Sequence, residues 1–198
     1  MTNDTVEYNQ ESQAKAVDED EALILAAKED VEAFGRLYDK YYKSIFRYIY
    51  HRTLDHALTE DLTSNTFFAA FRHIGRYRWN RVPFSAWLYR IATNEIRMHL
   101  RKQRRASSMD LDPASAGENV MVEEDYAALH QAILRLKPIY QTVITLRFFE
   151  EKTISEISKI TGKKEGTVKS QLHRGLEKLR YVLEREGILS SEEGEING

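Results

Sequence analysis

Residues 163–180 read Lys-Lys-Glu-Gly-Thr-Val-Lys-Ser-Gln-Leu-His-Arg-Gly-Leu-Glu-Lys-Leu-Arg, cations and short hydrogen-bonding side chains interleaved with aliphatic ones. Val168, Leu172, Leu176, Leu179 and Leu183 recur at helical steps and form one apolar stripe. Thr167, Lys169, Ser170, Gln171, His173 and Arg174 fall on or beside the opposite, wet face. Such a face can grip phosphates and read base edges in a DNA major groove. The plainer alternative is a helical hairpin whose charged face is merely solvated. The segment just upstream weighs against it. Thr153 and Glu156 form a capping box opening a short helix to Ile160, and Gly162, after Thr161, suits a left-handed C-cap. Two short helices around a glycine turn, the second basic and amphipathic, make a helix-turn-helix.

A second constellation lies on a helical pattern from Ser85 to Arg104. Arg90, Asn94, Arg97, Arg101 and Arg104 follow each other at offsets of four, three, four and three, so they line one exposed stripe. Trp87, Leu88, Ile91, Ala92, Ile96 and His99 face the core. A row of permanent cations is natural against a phosphate backbone and costly to bury. The preceding loop, Gly75 to Ser85, interleaves Tyr77, Trp79 and Phe84 with Arg76, Arg78, Asn80 and Arg81. Aromatics among cations suit single-stranded nucleic acid, whose unstacked bases offer π faces. The competing reading puts Tyr77 and Trp79 in a small hydrophobic core and leaves the arginines solvated.

The elements carrying these residues are helical throughout. Phe34, Leu37, Tyr38, Tyr41, Ile45, Tyr48 and Ile49 recur at three- and four-residue steps, and Leu58, Leu62, Phe67, Ala70 and Phe71 mark another helix starting near Thr59 or Asp61. After residue 123 the helical pattern resumes through Leu129, Ile133 and Leu136; Pro138 opens the next helix, with Val143, Leu146 and Phe149 on its buried side. No alternating strand pattern is present. The predicted fold is all-α: two small bundles, at 21–105 and 124–185, joined by a linker at 106–123 and flanked by acidic tails at 1–20 and 186–198.

The 198-residue chain has a net charge of −2 and a pI near 6.3, values that would argue against a polyanionic partner if charge were evenly spread. It is not: residues 1–33 carry net −8, 34–105 net +10, 106–130 net −6, 131–185 net +6 and 186–198 net −4. Local field decides where nucleic acid docks, so two basic modules on an acidic tether remain good candidates. The absence of cysteine excludes disulfides, thiolate metal sites and a cysteine nucleophile. No long apolar run predicts a membrane span and no signal peptide is legible, so a cytoplasmic protein is expected. His51 and His56 are five apart, a poor ligand spacing, and Glu60-Asp61 and Glu123-Glu124 read as solvated or partner-binding pairs. No nucleophile–base pair or phosphate-cradling glycine loop is present, so neither enzyme activity nor a cofactor is expected.

Over residues 22–183 the chain resembles an extracytoplasmic-function (ECF) sigma factor of the bacterial sigma-70 superfamily. The resemblance rests on Asp30-Val-Glu-Ala-Phe-Gly-Arg-Leu-Tyr38, on Glu60-Asp-Leu-Thr63 with Phe67, and on Phe84-Ser-Ala-Trp-Leu-Tyr-Arg-Ile-Ala-Thr-Asn94, matching region 2. Leu136-Lys-Pro138, Leu146-Arg147, Glu156-Ile157 and Gly166-Thr-Val-Lys-Ser170 match region 4. Regions 1.1 and 3 of larger sigma factors have no counterpart, the linker standing in place of region 3. The resemblance implies that region 2 binds the β′ clamp helices of RNA polymerase core and captures the non-template strand of the −10 element. It implies that region 4 binds the β flap and sets its second helix in the −35 major groove. Mapped by motif, Glu60, Asp61, Thr63, Ser64 and Asn65 would meet β′. Arg78, Trp79, Asn80, Arg81, Arg90, Asn94, Arg97 and Arg101 would hold the −10 strand. Thr167, Lys169, Ser170, Gln171, His173 and Arg174 would serve the −35 element. An anti-sigma factor is an implied partner. Opening costs a few kcal/mol per unstacked base, which a protein pocket for that base offsets.

The chain departs from the family pattern in three places. Ser64-Asn65 stand where Gln-Glu is common, Ser158 stands where alanine is typical, and Gln171 replaces an arginine. A glutamine amide shifts base preference towards adenine. The rival reading is a helix-turn-helix regulator that binds duplex DNA independently of polymerase; it leaves the aromatic-basic loop and the Arg90/Asn94/Arg97 stripe unexplained.

Overall fold

The computed structural model describes residues 20–78, 82–107 and 124–188, and every regular element among them is helical. Helix α1 covers 20–26, α2 Val31–Thr53, α3 His56–His73 and α4 Phe84–Ser107, with a single 3₁₀ turn at Ile74–Arg76. Helices α5 (Glu124–Leu134), α6 (Pro138–Ile144), α7 (Ile154–Thr161) and α8 (Glu165–Arg185) follow. Residues 1–19, Trp79, Asn80, Arg81, most of the expected linker and 189–198 lie outside the described residues.

Local signals explain where the helices start and stop. Asp30 caps α2 by accepting from the Glu32 amide at 2.8 Å, and Leu54 ends it in the left-handed region at φ 52°. Asp55 caps α3 by accepting from the Leu58 amide at 3.0 Å, so that helix begins before Thr59 and Asp61, where the sequence placed its start. Asp20 is also corrected. It is not part of a solvated tail but a buried helical residue, accepting from Lys40 Nζ at 2.6 Å and from the Tyr41 hydroxyl. Glu186, placed in the acidic tail by sequence, pairs with Arg135 just after α5.

Helices α2, α3 and α4 pack around Leu37, Ile45, Tyr48, Ile49, Leu62, Phe67, Leu88, Ala92 and Ile96, the apolar positions the periodicity singled out. A smaller cluster of Ala132, Ile133, Leu136, Ile144, Leu179 and Leu183 holds α5, α6 and α8 together. Pro138 takes the first turn of α6 as expected. Gly175 allows α8 to approach α6: a β-carbon there would lie 3.2 Å from Ile144 Cδ1 and 3.3 Å from Tyr140 Cβ. The larger cluster does not stop at the first bundle. Val143, Leu146, Ile157, Ile160 and Val168 of the second belong to it, so the two bundles share a seam.

Candidate nucleic-acid interface

Helices α7 and α8 form the expected helix-turn-helix. The Thr153/Glu156 capping box is complete: the Glu156 amide donates to Thr153 Oγ1 at 3.2 Å and the Thr153 amide to Glu156 Oε2 at 2.8 Å. Gly162 ends α7 at φ 68°, where a side chain would be strained, and donates its amide to Ser158 O at 2.9 Å. Ser158 Oγ donates across the turn to Lys163 O at 2.6 Å, a polar role for the residue that departs from the family's alanine. Helix α8 then lays Val168 fully into the core. Thr167, Lys169, Ser170, His173 and Arg174 are exposed on its other side and Gln171 is half-buried at the edge. Leu176, counted in the apolar stripe by spacing, is instead exposed.

On α4, Asn94, Arg97 and Arg101 are exposed along one side while Leu88, Ala92 and Ile96 are buried on the other, so the stripe forms. Arg90 is exposed too, but its guanidinium is engaged: Nε donates to Ile160 O at 3.2 Å and Nη2 to Lys159 O at 2.5 Å. Those carbonyls close the last turn of α7, where a cation is favourably placed. Tyr77 and Phe84 are corrected as base-stacking candidates. Both are buried and pack edge to face at 5.5 Å with Trp87 against them, and the Tyr77 hydroxyl donates to Val82 O at 2.7 Å. Burial pushes the Tyr77 phenol up to about 12. Arg78 is exposed beside this aromatic knot, while Trp79, Asn80 and Arg81 lie outside the described residues.

On α3, Glu60, Asp61, Ser64 and Asn65 present side chains to solvent. Thr63 does not. It is 1% exposed, with no hydrogen-bond partner for its hydroxyl among the described residues, so it cannot meet a partner's surface directly. The residue that spacing should have added is Phe68, four positions beyond Ser64 on the same helix face and 61% exposed. An exposed aromatic among polar groups is a common binding anchor.

The seam between the bundles was not legible in the sequence, and beside its shared apolar cluster it carries a set of charged and polar groups. Glu150 follows α6 after a widened π turn, Thr145–Phe149, and is buried. Its carboxylate receives Arg47 Nε at 2.9 Å, Arg47 Nη2 at 3.0 Å and the Tyr89 hydroxyl at 2.7 Å, all from the first bundle. The Glu150 hydrogen bond raises the Arg47 guanidinium further above its usual range. Burial, and then the Glu150 charge, push the Tyr89 phenol far up, so it stays a donor. Arg52 is buried among neutral acceptors, donating to Gln141 Oε1 at 3.2 Å and Thr142 Oγ1 at 2.9 Å, and burial lowers its guanidinium. Gln141 also donates to the Leu134 and Leu136 carbonyls at 2.7 and 2.9 Å, tying the α5–α6 turn to Arg52. The His51 and His130 rings lie near-parallel and share a hydrogen bond of 2.7 Å, with Phe149 against both.

Residues 37–106 match the sequence family described as Sigma-70 region 2, and residues 126–179 the one described as Sigma-70, region 4. The ECF RNA polymerase sigma factor BldN of Streptomyces coelicolor is 35% identical over 181 residues, covering 85% of this chain and 69% of that protein. The chain belongs to the ECF sigma factors of the sigma-70 family. SigW of Bacillus subtilis, another ECF sigma factor, is 33% identical over 172 residues, 79% of this chain and 91% of its own. In fold, this sigma factor is similar to CnrH solved with the cytosolic domain of CnrY, at a TM-score of 0.65 and 22% identity over 83% of this chain and 97% of that one. It is similar too to the sigma factor RpoE solved with the anti-sigma factor NepR from Bartonella quintana, at a TM-score of 0.61 and 21% identity over 76% and 96%. The first bundle is thus region 2, the second region 4, and the chain is an alternative sigma factor. No helix among the described residues is long and apolar enough to cross a membrane.

Proposed function

We propose that this ECF sigma factor binds RNA polymerase core in the cytoplasm and directs it to promoters by reading a −35 element with α8 and a −10 strand with α4 and the loop before it. It works without covalent chemistry. Glu60, Asp61, Ser64 and Asn65, with Phe68 beside them, form the face offered to the β′ clamp helices. Region 4 meets the β flap and sets Thr167, Lys169, Ser170, Gln171, His173 and Arg174 in the −35 major groove. Asn94, Arg97 and Arg101, with Arg90 once released and the Arg78–Arg81 loop, hold the displaced strand. CnrH and RpoE were each solved with a bound partner, for RpoE an anti-sigma factor. A protein that clamps regions 2 and 4 is accordingly the expected inhibitor here.

The observation that carries this reading is the pairing, in one chain, of an exposed basic helix-turn-helix face with a separate cationic stripe on α4. A duplex-only regulator needs the first and has no use for the second. Transcription reconstituted from core polymerase, the purified chain and a genomic DNA library, with 5′ ends sequenced, tests it. Initiation at sites sharing a two-part upstream motif is expected. Tight duplex binding without core association or initiation would favour the polymerase-independent regulator.

A further inference from the structure

Elements named −35 and −10 stand about 25 base pairs apart, roughly 85 Å of duplex at about 3.4 Å per base pair. Regions 2 and 4 cannot span that while sharing a single buried cluster and the hydrogen bonds across it. The closed chain must therefore come apart before both elements are read. What holds it closed is chemically specific. Arg47 and Tyr89 project from two different helices of region 2 onto one carboxylate of region 4, and the Glu150 side chain is only 1% exposed.

We infer that Glu150 is the bolt of an intramolecular latch, received by Arg47 and Tyr89, that keeps the free sigma factor closed and Arg90 of its −10 face tied to region 4.

Several features fit a bolt better than incidental packing. The bidentate Arg47 fork and the phenol together satisfy both carboxylate oxygens, the condition for burying a charge stably. The backbone is bent to deliver it. The π turn widens the end of α6, the Glu150 amide donates back to Thr145 O at 3.1 Å, and Glu151 sits in the left-handed region at φ 53°. A non-glycine residue there is strained, and such strain persists where the surroundings over-determine it. Arg90 makes the second connection, donating to the last carbonyls of α7. A stripe meant for a phosphate backbone is thereby partly spent on region 4, whereas the α8 face stays open. Beside the shared apolar cluster, the seam's ion-pairing groups lower the cost of parting it, since water solvates them well once exposed.

The latch itself does not depend on the promoter reading; only its consequence for the −10 strand rests on that reading. The chain has no cysteine, so Lys43→Cys and Lys178→Cys, both on exposed positions, allow clean placement of two spin labels. Double electron–electron resonance on the full chain should give one narrow distance. Glu150→Gln and Arg47→Ala should each broaden it and shift it outward by roughly 10 Å or more, the width of a helix. Circular dichroism checks that helicity is retained. Tyr89→Phe keeps the ring in the core and removes only the hydroxyl, so it tests the latch even where a Glu150 variant loosens region 4. A broad distribution in the parent chain, or the same narrow peak in all three variants, would overturn the latch. Reconstituted transcription separates the two readings. Opened variants that never initiate, alongside a parent that never initiates, would remove the promoter reading and leave the latch standing.

Discussion

Helices α4 and α8 carry the two cationic faces, and they differ in readiness. On α8, Lys169, Ser170, His173 and Arg174 are exposed while Val168, Gly175, Leu179 and Leu183 are buried behind them, so the face stands clear of region 2. On α4, Arg97 and Arg101 are exposed, but Arg90 is bonded to the end of α7 and Tyr89, its buried neighbour, to Glu150. The α8 face proposed to read duplex is thus ready as folded, and the α4 face proposed to hold the strand is partly committed to region 4. On the proposed reading, duplex contact needs no rearrangement, whereas strand capture needs the seam to part.

The contrast breaks most severely if α8 loses its seat. Gly175→Leu forces side-chain atoms into Ile144 and Tyr140, which a β-carbon alone would already approach at 3.2–3.3 Å. Overpacking of this kind costs about 1–3 kcal/mol, occasionally more. Thermal unfolding should show region 4 melting earlier, with −35 binding lost and region 2 spared. Next in size, Arg97→Ala or Asn94→Ala should lower open-complex formation roughly tenfold, as expected for a lost charge-assisted contact of about 1.4 kcal/mol. Core affinity should stay unchanged; permanganate footprints of melted thymines distinguish the two steps. Lys169→Ala or Arg174→Ala should weaken −35 duplex binding across sequences and reduce the salt slope by about one each.

The smallest effect sharpens the comparison through pH. Burial first, then His130 and Arg47, lower His51 from its ordinary 6.5 to about 4 in the closed chain. Around it stand His130 of α5, Arg47 of its own helix and, paired with Arg47, Glu150 of region 4 with Tyr89 of α4. An opened chain takes up the proton at the ordinary value, so it binds more protons than the closed one between about 4 and 6.5. The His51 contribution to closure is therefore complete above 6.5 and is lost as pH falls towards 4, by at most about tenfold in the opening equilibrium per pH unit. The labelled chain should populate the longer distance progressively on acidification, and a distance independent of pH would remove the histidines from the seam's energetics.

What the sequence revealed and what it hid divide along the same line. The capping box at Thr153 and Glu156, the Gly162 cap, Pro138 and the stripe from Asn94 to Arg101 are short-range signals, each written within a few residues. Both bundles and the helix-turn-helix followed from them. The seam is written across long separations: Arg47 and Glu150 are 103 residues apart, and Glu150-Glu151 reads locally as another solvated acidic pair. Thr63 failed for the opposite reason. A motif names a stretch, but only the helical phase decides that Asp61 and Ser64 face out while Thr63 faces in. Tyr77 failed because interleaving with arginines does not reveal that its ring closes over Phe84 and Trp87.

The readiness of one DNA face and the commitment of the other are most directly tested by comparing Glu150→Gln with the parent chain, free of polymerase, on two probes from a mapped promoter. One is the −35 duplex and the other the non-template −10 strand. Freeing Arg90 should raise affinity for the strand by roughly tenfold, the equivalent of about 1.4 kcal/mol, while duplex affinity stays within twofold. Equal strand affinity in the two proteins, or an equal gain on both probes, would contradict the account.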